Sequence, residues 1–293
     1  MFQKAYKIAA GFTRPTIDLW KQFDGTCKSS LAAHVIINAD GWIVTAGHVA
    51  KQAQRISLSD RSARAWEAAI AAIHADTSIS DRERDRRVKA QGTQPGKAVR
   101  RGCTMWGQSR TLKDVTIIED VDLAVGRLDP FDASTVPAYP SFKDPTKNMN
   151  CGATLCKLGF PFTEISPTYD EATSSFSLPP QLTSVPLFPI DGLFTRNLNI
   201  APVGKYKFPL TFLETSSPGL KGQSGGPTFD TNGTIWAIQV QTRPLSLGFS
   251  PEIKDMGKAH KEHQFLNVGL GVHVETILGL FNDLGIKHTV ANY

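Results

Sequence analysis

The sequence Lys221-Gly222-Gln223-Ser224-Gly225-Gly226-Pro227 places a serine between glycines in a run that ends at a proline. Glycine adopts the backbone angles that a tight loop beside an exposed hydroxyl requires. In such a loop the amides of Gly222 and Ser224 can point at one place and form an oxyanion hole. A plain glycine-rich turn between two strands would show the same pattern, so residues elsewhere must distinguish the two interpretations.

A histidine follows two predicted strands in the N-terminal half. Residues 33–37 and 42–46 are rich in β-branched side chains, and Asp40-Gly41 between them favours a hairpin turn. His48 comes directly after the second strand, where a rigid sheet passes into a loop or a short helix. That position suits a general base. The alternative interpretation is a core or surface histidine.

Two acidic residues precede another apolar strand in Asp120-Val121-Asp122-Leu123-Ala124-Val125. A carboxylate directly before a buried strand is well placed to bind an imidazole and fix its tautomer. Asp122 is our candidate for this role, and Asp120 is the second choice. Either residue could instead cap a turn.

Composition limits the class of protein. The chain has 293 residues, 41% of them hydrophobic, which is enough for one large domain or two modest ones. We find no apolar run typical of a secretory signal and no stretch of the roughly 18 apolar residues that a membrane span needs. A cytoplasmic protein without membrane contacts is therefore expected. The formal charge of +5 is too weak, without a focused patch, to indicate nucleic acid binding.

Cysteine spacing argues against a disulfide framework or a metal site. Cys27, Cys103, Cys151 and Cys156 include no Cys-x-x-Cys pair. Free thiols are therefore expected. We also expect no metal ion and no organic cofactor.

Helical patterns interrupt an otherwise strand-rich sequence. Residues from about 61 to 92 predict a helical hairpin, and Ser80-Asp81-Arg82-Glu83 is a capping box for its second helix. Arginines and acids interleave along that helix, which favours mutual pairing in solvent over a nucleic-acid surface. A short helix is expected over residues 15–23, and residues 276–285 predict a terminal amphipathic helix.

The second half of the chain predicts a further set of short strands. Residues 130–150 are rich in Pro, Asp and Lys and predict an interdomain linker, whereas residues from about 163 to 189 predict a long loop. The strands of this half are predicted over residues 153–158, 197–200, 210–214, 234–240 and 267–274.

The order His48, Asp122, Ser224 resembles that of the chymotrypsin-fold, or trypsin-like, serine proteases. Residues 35–49 resemble the catalytic-histidine hairpin of the HtrA-like bacterial branch, and residues 122–125 resemble the aspartate motif of the family.

Two further segments carry the resemblance. Leu158-Gly159-Phe160-Pro161 is similar to the Gly-x-Pro turn of the HtrA-like branch, and residues 212–235 resemble the serine loop with its following hairpin. That branch usually carries a C-terminal PDZ domain, which we do not expect in a chain that ends at Tyr293.

The resemblance implies an all-β dominated fold, in which two six-stranded β-barrels pack together with a helical insertion and a C-terminal helix. Residues 1–140 would form the barrel with His48 and Asp122, and residues 141–293 the barrel with Ser224. The implied activity is that of a serine endopeptidase, which acts on a protein or peptide through an acyl-enzyme. The alternative is a catalytically weak, protease-like binding module or regulator. The oligomeric state stays open.

The resemblance also places the primary specificity pocket between residues 215–219 and residues 238–241. Its predicted substrate-binding residues are Thr215, Ile238, Gln239 and Val240. Since neither segment contains a carboxylate, poor cleavage after Arg or Lys and a preference for uncharged side chains are expected. An acidic or glutamine preference is the alternative, because Thr215 and Gln239 fall where glutamyl proteases place polar residues.

Gln223 directly precedes the candidate nucleophile. Pancreatic-type relatives have an aspartate there, which pairs with a freed N-terminal amine and orders the oxyanion loop. A neutral glutamine forms no such ion pair. Activity without N-terminal trimming is therefore expected.

Overall fold

Two β-sheets form the body of the chain, of which the computed structural model describes residues 1–22, 24–92, 100–179, 185–200, 206–255 and 258–293. The helices within these residues are α1 (Gln3–Phe12), α2 (Gly47–Ala75), α3 (Asp81–Ala90) and α4 (Val274–Asp283). Among them, none is both long and apolar enough to cross a lipid bilayer.

The first sheet comes from the N-terminal half and has the strand order β4-β1-β2-β3-β6-β5. Its strands are β1 (Thr13–Lys21), β2 (Cys27–Ile36), β3 (Trp42–Ala46), β4 (Arg101–Trp106), β5 (Thr111–Ile118) and β6 (Leu123–Asp129). Gly41 turns the β2–β3 hairpin with a φ of 81°, a left-handed angle that favours glycine. The outer strands β4 and β5 join through a turn in which Trp106 pairs with Ser109, so the sheet curls into a half-barrel.

The C-terminal half forms a ring of six strands in the order β13-β8-β11-β12-β17-β14, which a pairing of β13 with β14 closes. Two short strands, β7 and β18, extend the sheet beyond β14, and two hairpins, β9–β10 and β15–β16, stand apart from it. The strands are β7 (Ser141–Phe142), β8 (Thr154–Gly159), β9 (Thr168–Asp170), β10 (Ser175–Ser177), β11 (Phe188–Ile200), β12 (Leu210–Thr215), β13 (Pro227–Phe229), β14 (Ile235–Ser246), β15 (Glu252–Asp255), β16 (Lys258–Lys261), β17 (Phe265–His273) and β18 (Thr289–Val290).

A shared hydrophobic core joins the two sheets. Val35 and Val44 of the first sheet and Ile238 of the second are fully buried members of it. Helix α1 contacts β8 and β13, and the Phe2 ring meets the Phe229 ring edge-on at 6.1 Å. The N-terminal helix therefore covers the second sheet, although it belongs to the first half of the sequence.

These sheets confirm the predicted all-β dominated, chymotrypsin-like fold with added helices. The predicted C-terminal helix is present as α4. Of the predicted capping box, the N-cap bond is present, since the Ser80 side chain accepts a hydrogen bond from the Glu83 amide at 3.3 Å, whereas the Glu83 carboxylate bonds Arg86 and Arg87. The division into domains at residues 140 and 141 stays a prediction.

One helix prediction is wrong, and the predicted helical hairpin is present as α2 and α3 but with a different start. Thr13–Lys21 is a strand and not part of a helix, because it lies between β2 and β4 and pairs with both, with Ile17 and Leu19 buried. Residue 23 of that prediction lies outside the described residues. The helical insertion starts at Gly47 instead of about residue 61, since α2 continues directly from β3 and packs along β4.

Two loop predictions need correction as well. The predicted linker over residues 130–150 contains a 3-10 turn, Ala133–Thr135, and the strand β7. The predicted loop over residues 163–189 contains the β9–β10 hairpin and the start of β11, while residues 180–184 lie outside the described residues. Strands β7 and β11 form through pairing with strands that are distant in sequence. Strands β9 and β10 have three residues each, which is too short to show a sequence pattern.

Replacing Phe281 should separate the contribution of buried helix packing from that of helix formation. Phe281 on α4 is fully buried and meets the Phe142 ring at 5.3 Å. Phe281→Ala is expected to lower the free energy of unfolding by about 3–5 kcal/mol, because it leaves a cavity. Urea denaturation measures this loss. Leu284→Ala, at a residue that is 39% exposed just after α4, is the control and should change stability by less than about 1 kcal/mol. Equal losses in the two variants would contradict the packing described for α4.

Candidate active site

Asp122 holds His48 through both carboxylate oxygens. The His48 amide donates to Oδ1 at 2.6 Å, and His48 Nδ1 lies 2.6 Å from Oδ2. With the proton on Nδ1, the carboxylate accepts it, and Nε2 is the ring nitrogen that is free to act as a base. The His48 side chain is 51% exposed and that of Asp122 is 34% exposed, so the pair lies at the protein surface with access to a ligand.

Local backbone geometry brings this pair together. Asp122 ends the 3-10 turn Glu119–Val121 with a left-handed φ of 55°, and its carbonyl accepts a hydrogen bond from the Gly47 amide at 2.7 Å. A Cβ atom on Gly47 would lie 2.9 Å from Asp122 Oδ1, closer than side chains normally approach. Gly47 is therefore part of the site. Its position directly before the histidine was the available sequence signal.

Helix α2 adds an electrostatic contribution, because it begins at Gly47 and its first turn includes His48. The amides of a helix N-terminus carry a partial positive charge that stabilises a nearby anion. Asp122 Oδ1 accepts one of these amides, that of His48. The carboxylate is thus oriented by a backbone donor as well as by the imidazole.

The second-choice acid lies elsewhere. Asp120 is exposed within the 3-10 turn, and its neighbour Glu119 pairs with Lys51 at 2.8 Å. The structure brings Asp122, and not Asp120, to His48.

Ser224 lies in a loop that packs against the strand leading to His48. The Ala33 amide donates to the Ser224 carbonyl at 2.8 Å, and the Gly225 amide donates to the Gln239 carbonyl at 2.7 Å. At Gly225, with a φ of 83°, a Cβ atom would lie 3.0 Å from the Ala46 amide nitrogen and would overlap the Thr45 hydroxyl. Since Ala46 precedes Gly47 and His48 in the chain, this contact sets the serine loop beside the histidine.

The other face of the serine loop packs on the end of β8. The Phe160 amide donates to the Gly222 carbonyl at 2.9 Å, and a Cβ atom on Gly159 would lie 2.6 Å from Gln223 Cα. Gly222 has a φ of 97°, which favours glycine. The glycines of the predicted motifs are therefore required by close contacts between backbone segments.

The amides of the predicted oxyanion hole differ from their neighbours. Those of Gln223, Gly225 and Gly226 donate to backbone carbonyls at 2.7–2.9 Å. For the amides of Gly222 and Ser224, no acceptor occurs within the part of the chain that the structure describes. Two such free donors on either side of Gln223 could hold a developing oxyanion.

Gln223 fixes the loop from inside. Its side chain is fully buried; Oε1 accepts the Leu220 amide at 2.9 Å, and Nε2 donates to the Phe188 carbonyl at 3.3 Å. Sequence reasoning identified the residue as neutral and did not foresee these bonds. The neutral side-chain amide of Gln223 thus connects the serine loop at Leu220 and the start of β11 at Phe188.

The predicted substrate-binding residues are all buried. Ile238 and Val240 belong to the hydrophobic core, so their side chains are not available to a substrate. Gln239 Nε2 donates to the Gln241 carbonyl at 2.7 Å, and Thr215 Oγ1 lies 3.0 Å from Lys157 Nζ. Among the four predicted substrate-binding residues, Thr215 and Gln239 are therefore the two with polar side chains, and both side chains are already hydrogen-bonded.

A groove with a volume of about 730 Å³ lies beside residues 220–222 of the serine loop, between β2 and the segment that follows β8. It is lined by Cys27–Leu31 at the start of β2, by Phe160 and Phe162–Ser166 after β8, and by Leu220–Gly222. The groove contacts both sheets and reaches Gly222.

Two of the four cysteines are poorly suited to compete with Ser224 as nucleophiles, because their thiols are hard to deprotonate. All four are free thiols. Burial raises the pKa of Cys156 to about 12 and also raises the pKa of Cys103. Neither of these two residues is an activated thiolate at neutral pH.

Removal of the Gln223 amide should destabilise the loop measurably. Gln223→Leu keeps a similar volume and leaves the Leu220 amide without its buried acceptor, so a loss of about 1–3 kcal/mol in unfolding free energy is expected. Urea denaturation provides the measurement, and Gln54→Leu, at an exposed position on α2, is the control. An unchanged urea midpoint for Gln223→Leu would show that the amide does not hold the loop.

Comparison with known proteins places the chain in a family. Residues 32–238, well over half of the chain, match the trypsin-like peptidase domain. Similar solved structures include the HtrA-type protease AlgW with tripeptide, at 14% identity and a TM-score of 0.46, with 98% of this chain and 64% of that chain covered. A protease from M. tuberculosis in its active form has 12% identity and a TM-score of 0.46, with 98% and 86% covered.

This chain thus spans 64% of the length of the HtrA-type protease. We find no match among curated proteins. The family match covers both halves of the site, from β2 through the serine loop to Ile238. The chain therefore belongs to the trypsin-like peptidase family.

Proposed function

We propose that this peptidase is a serine endopeptidase in which Ser224, His48 and Asp122 act as a catalytic triad. The observation that carries the proposal is the pair of 2.6 Å hydrogen bonds from His48 to Asp122, beside the loop of Ser224. This arrangement orients an imidazole with Nε2 free, which is what the activation of a serine hydroxyl requires.

In the proposed reaction, His48 Nε2 removes the proton of the Ser224 hydroxyl as Oγ attacks the carbonyl of the scissile peptide bond. The tetrahedral intermediate carries a negative oxygen, which the amides of Gly222 and Ser224 stabilise. Its collapse breaks the C–N bond, and the leaving amine takes the proton from His48. Water, deprotonated by His48, then hydrolyses the acyl-enzyme and restores Ser224.

Asp122 contributes through charge and orientation. When His48 becomes an imidazolium, the carboxylate lies 2.6 Å from Nδ1 and stabilises the new positive charge. The backbone donor at the start of α2 binds Oδ1 and leaves Oδ2 to the ring. The proposed roles place His48 and Asp122 on residues 1–140 and Ser224 on residues 141–293.

The substrate of the proposed reaction is a peptide or protein segment in extended form. The groove beside the serine loop contacts β2 and the segment after β8, and it would take the residues on the leaving-group side. A cytoplasmic location is part of the same proposal. A catalytically weak binding module would use the same groove without covalent chemistry, and the labelling experiment below separates the two functions.

The first test uses Ser224→Ala. A fluorophosphonate probe is expected to add once to the wild-type chain at Ser224 and not to this variant, and peptide turnover should fall on the order of a millionfold. Intact mass spectrometry measures the addition, and unfolding curves check that the fold is unchanged. Peptide binding without any labelling of the wild type would support the binding module instead.

The second test uses Asp122→Asn, with Asp120→Asn as the matched control. An asparagine amide favours the wrong histidine tautomer, so turnover should fall roughly ten-thousandfold. Asp120→Asn should retain turnover within a few-fold, because Asp120 is exposed away from His48. The reverse result in a peptide hydrolysis assay would overturn the assignment of Asp122.

A further inference from the structure

A lysine ammonium is buried beside the segment that leads to Ser224. Lys157 on β8 is 1% exposed, in a strand that is otherwise apolar or small from Leu155 to Gly159. Its Nζ donates to the Ser217 carbonyl at 2.5 Å, to the Pro218 carbonyl at 2.8 Å and to Thr215 Oγ1 at 3.0 Å. All three N–H donors of the ammonium are thereby used.

The charge of this ammonium is not balanced by its partners. All three acceptors are neutral, and no carboxylate pairs with Lys157 among the described residues. Burial lowers the pKa of Lys157 to about 7, because the ammonium loses its hydration and gains only neutral hydrogen-bond acceptors in the folded protein. A buried cation without a counter-ion is costly. A ligand with a negative charge would supply the counter-ion that Lys157 lacks among the described residues.

The ammonium lies in the wall of the expected primary specificity pocket. All three of its partners, Thr215, Ser217 and Pro218, belong to the 215–219 segment that precedes the nucleophile. Gly269 on β17 packs its backbone closely against this group, since a Cβ atom there would lie 2.8 Å from Lys157 Nζ and would displace it. Gly219 does the same for the Gln239 amide, which a Cβ atom would overlap.

We infer that Lys157 determines the primary specificity of the proposed protease and selects substrates with Glu or Asp at P1, the residue whose carbonyl is attacked. The inference rests on the proposed role of Ser224. The Thr215 contact is the longest of the three to Lys157, and its hydroxyl can rotate to donate to an incoming carboxylate. The carboxylate then takes the place of Thr215 on the ammonium and neutralises it.

This assignment favours one of the two specificities that the sequence leaves open. Poor cleavage after Arg and Lys follows from charge repulsion by Lys157, in addition to the absence of an acidic residue. An acidic P1 residue is preferred to an uncharged one, because only the acid compensates the buried charge. Glutamine at P1 provides the sharpest comparison, since it has the size of glutamate without the charge.

The experiment uses two peptidyl diphenyl phosphonates that differ only in a Glu or Gln side chain at P1. The rate constant for modification of Ser224, followed by intact mass spectrometry, should be roughly 10- to 100-fold larger for the Glu probe in the wild type. Lys157→Met keeps the apolar stem and removes the charge, so the ratio should fall to about one. Thr215→Val, which loses only the hydroxyl, should lower the ratio partway.

Lys143→Met is the matched control. Lys143 is also a buried lysine of the second half, but its ammonium bonds the Tyr293 carbonyl and lies over the Trp236 ring at 5.5 Å. This variant should keep the wild-type ratio. A fluorophosphonate, which has no P1 side chain, should label Ser224 in the wild type and in Lys143→Met at rates within a few-fold of each other.

A Glu to Gln ratio near one in the wild type would overturn the inference, even if Lys157→Met fails to fold. A ratio that persists in folded Lys157→Met would overturn it as well. If the fluorophosphonate labels Ser224 while the ratio is one, only the specificity assignment fails. If the fluorophosphonate leaves Ser224 unmodified, the proposed function fails and the assignment fails with it.

Discussion

The contact between Gly225 and the end of β3 is the constraint on which the site depends. At this position the backbone of the serine loop approaches Thr45 and Ala46 so closely that a Cβ atom has no room. The Gly225 amide is tied at the same time to Gln239 at 2.7 Å, and so one residue joins the half-barrel to the strand ring. Because Ala46 leads directly into Gly47 and His48, the distance between the serine and histidine loops is set by backbone packing.

Polar groups then hold each half of the site in place. Asp122 uses both oxygens on His48 at the surface, and Gln223 bonds Leu220 and Phe188 from a fully buried position. The bonds of Gln223 are expensive to leave unmade because they are buried, so they fix the serine loop more firmly than surface contacts would. Lys157 differs from the other groups, since it is hydrogen-bonded but its charge is not balanced. That difference connects the architecture of the second half to a choice of substrate.

Local signals in the sequence predicted the fold where a short segment determines its own structure. The Asp40-Gly41 turn, the N-cap at Ser80 and the terminal helix α4 are cases of this kind. The helix predicted over residues 15–23 failed because β1 is stabilised by pairing with β2 and β4, which no local pattern reveals. Glycine spacing indicated the serine loop, whereas the partners of Gln223 and Lys157 come from distant strands. A lone lysine within the apolar strand of residues 153–158 was the signal that could have indicated Lys157.

A crystal structure of the chain after reaction with a peptidyl phosphonate would test the central claim most directly, since the phosphorus centre imitates the tetrahedral intermediate. We expect a bond from Ser224 Oγ to phosphorus, with one phosphoryl oxygen within about 3 Å of the amides of Gly222 and Ser224. His48 Nε2 should face Ser224 Oγ while Nδ1 stays on Asp122. A phosphoryl oxygen turned away from both amides, or an adduct on a residue other than Ser224, would overturn the proposed triad and oxyanion hole.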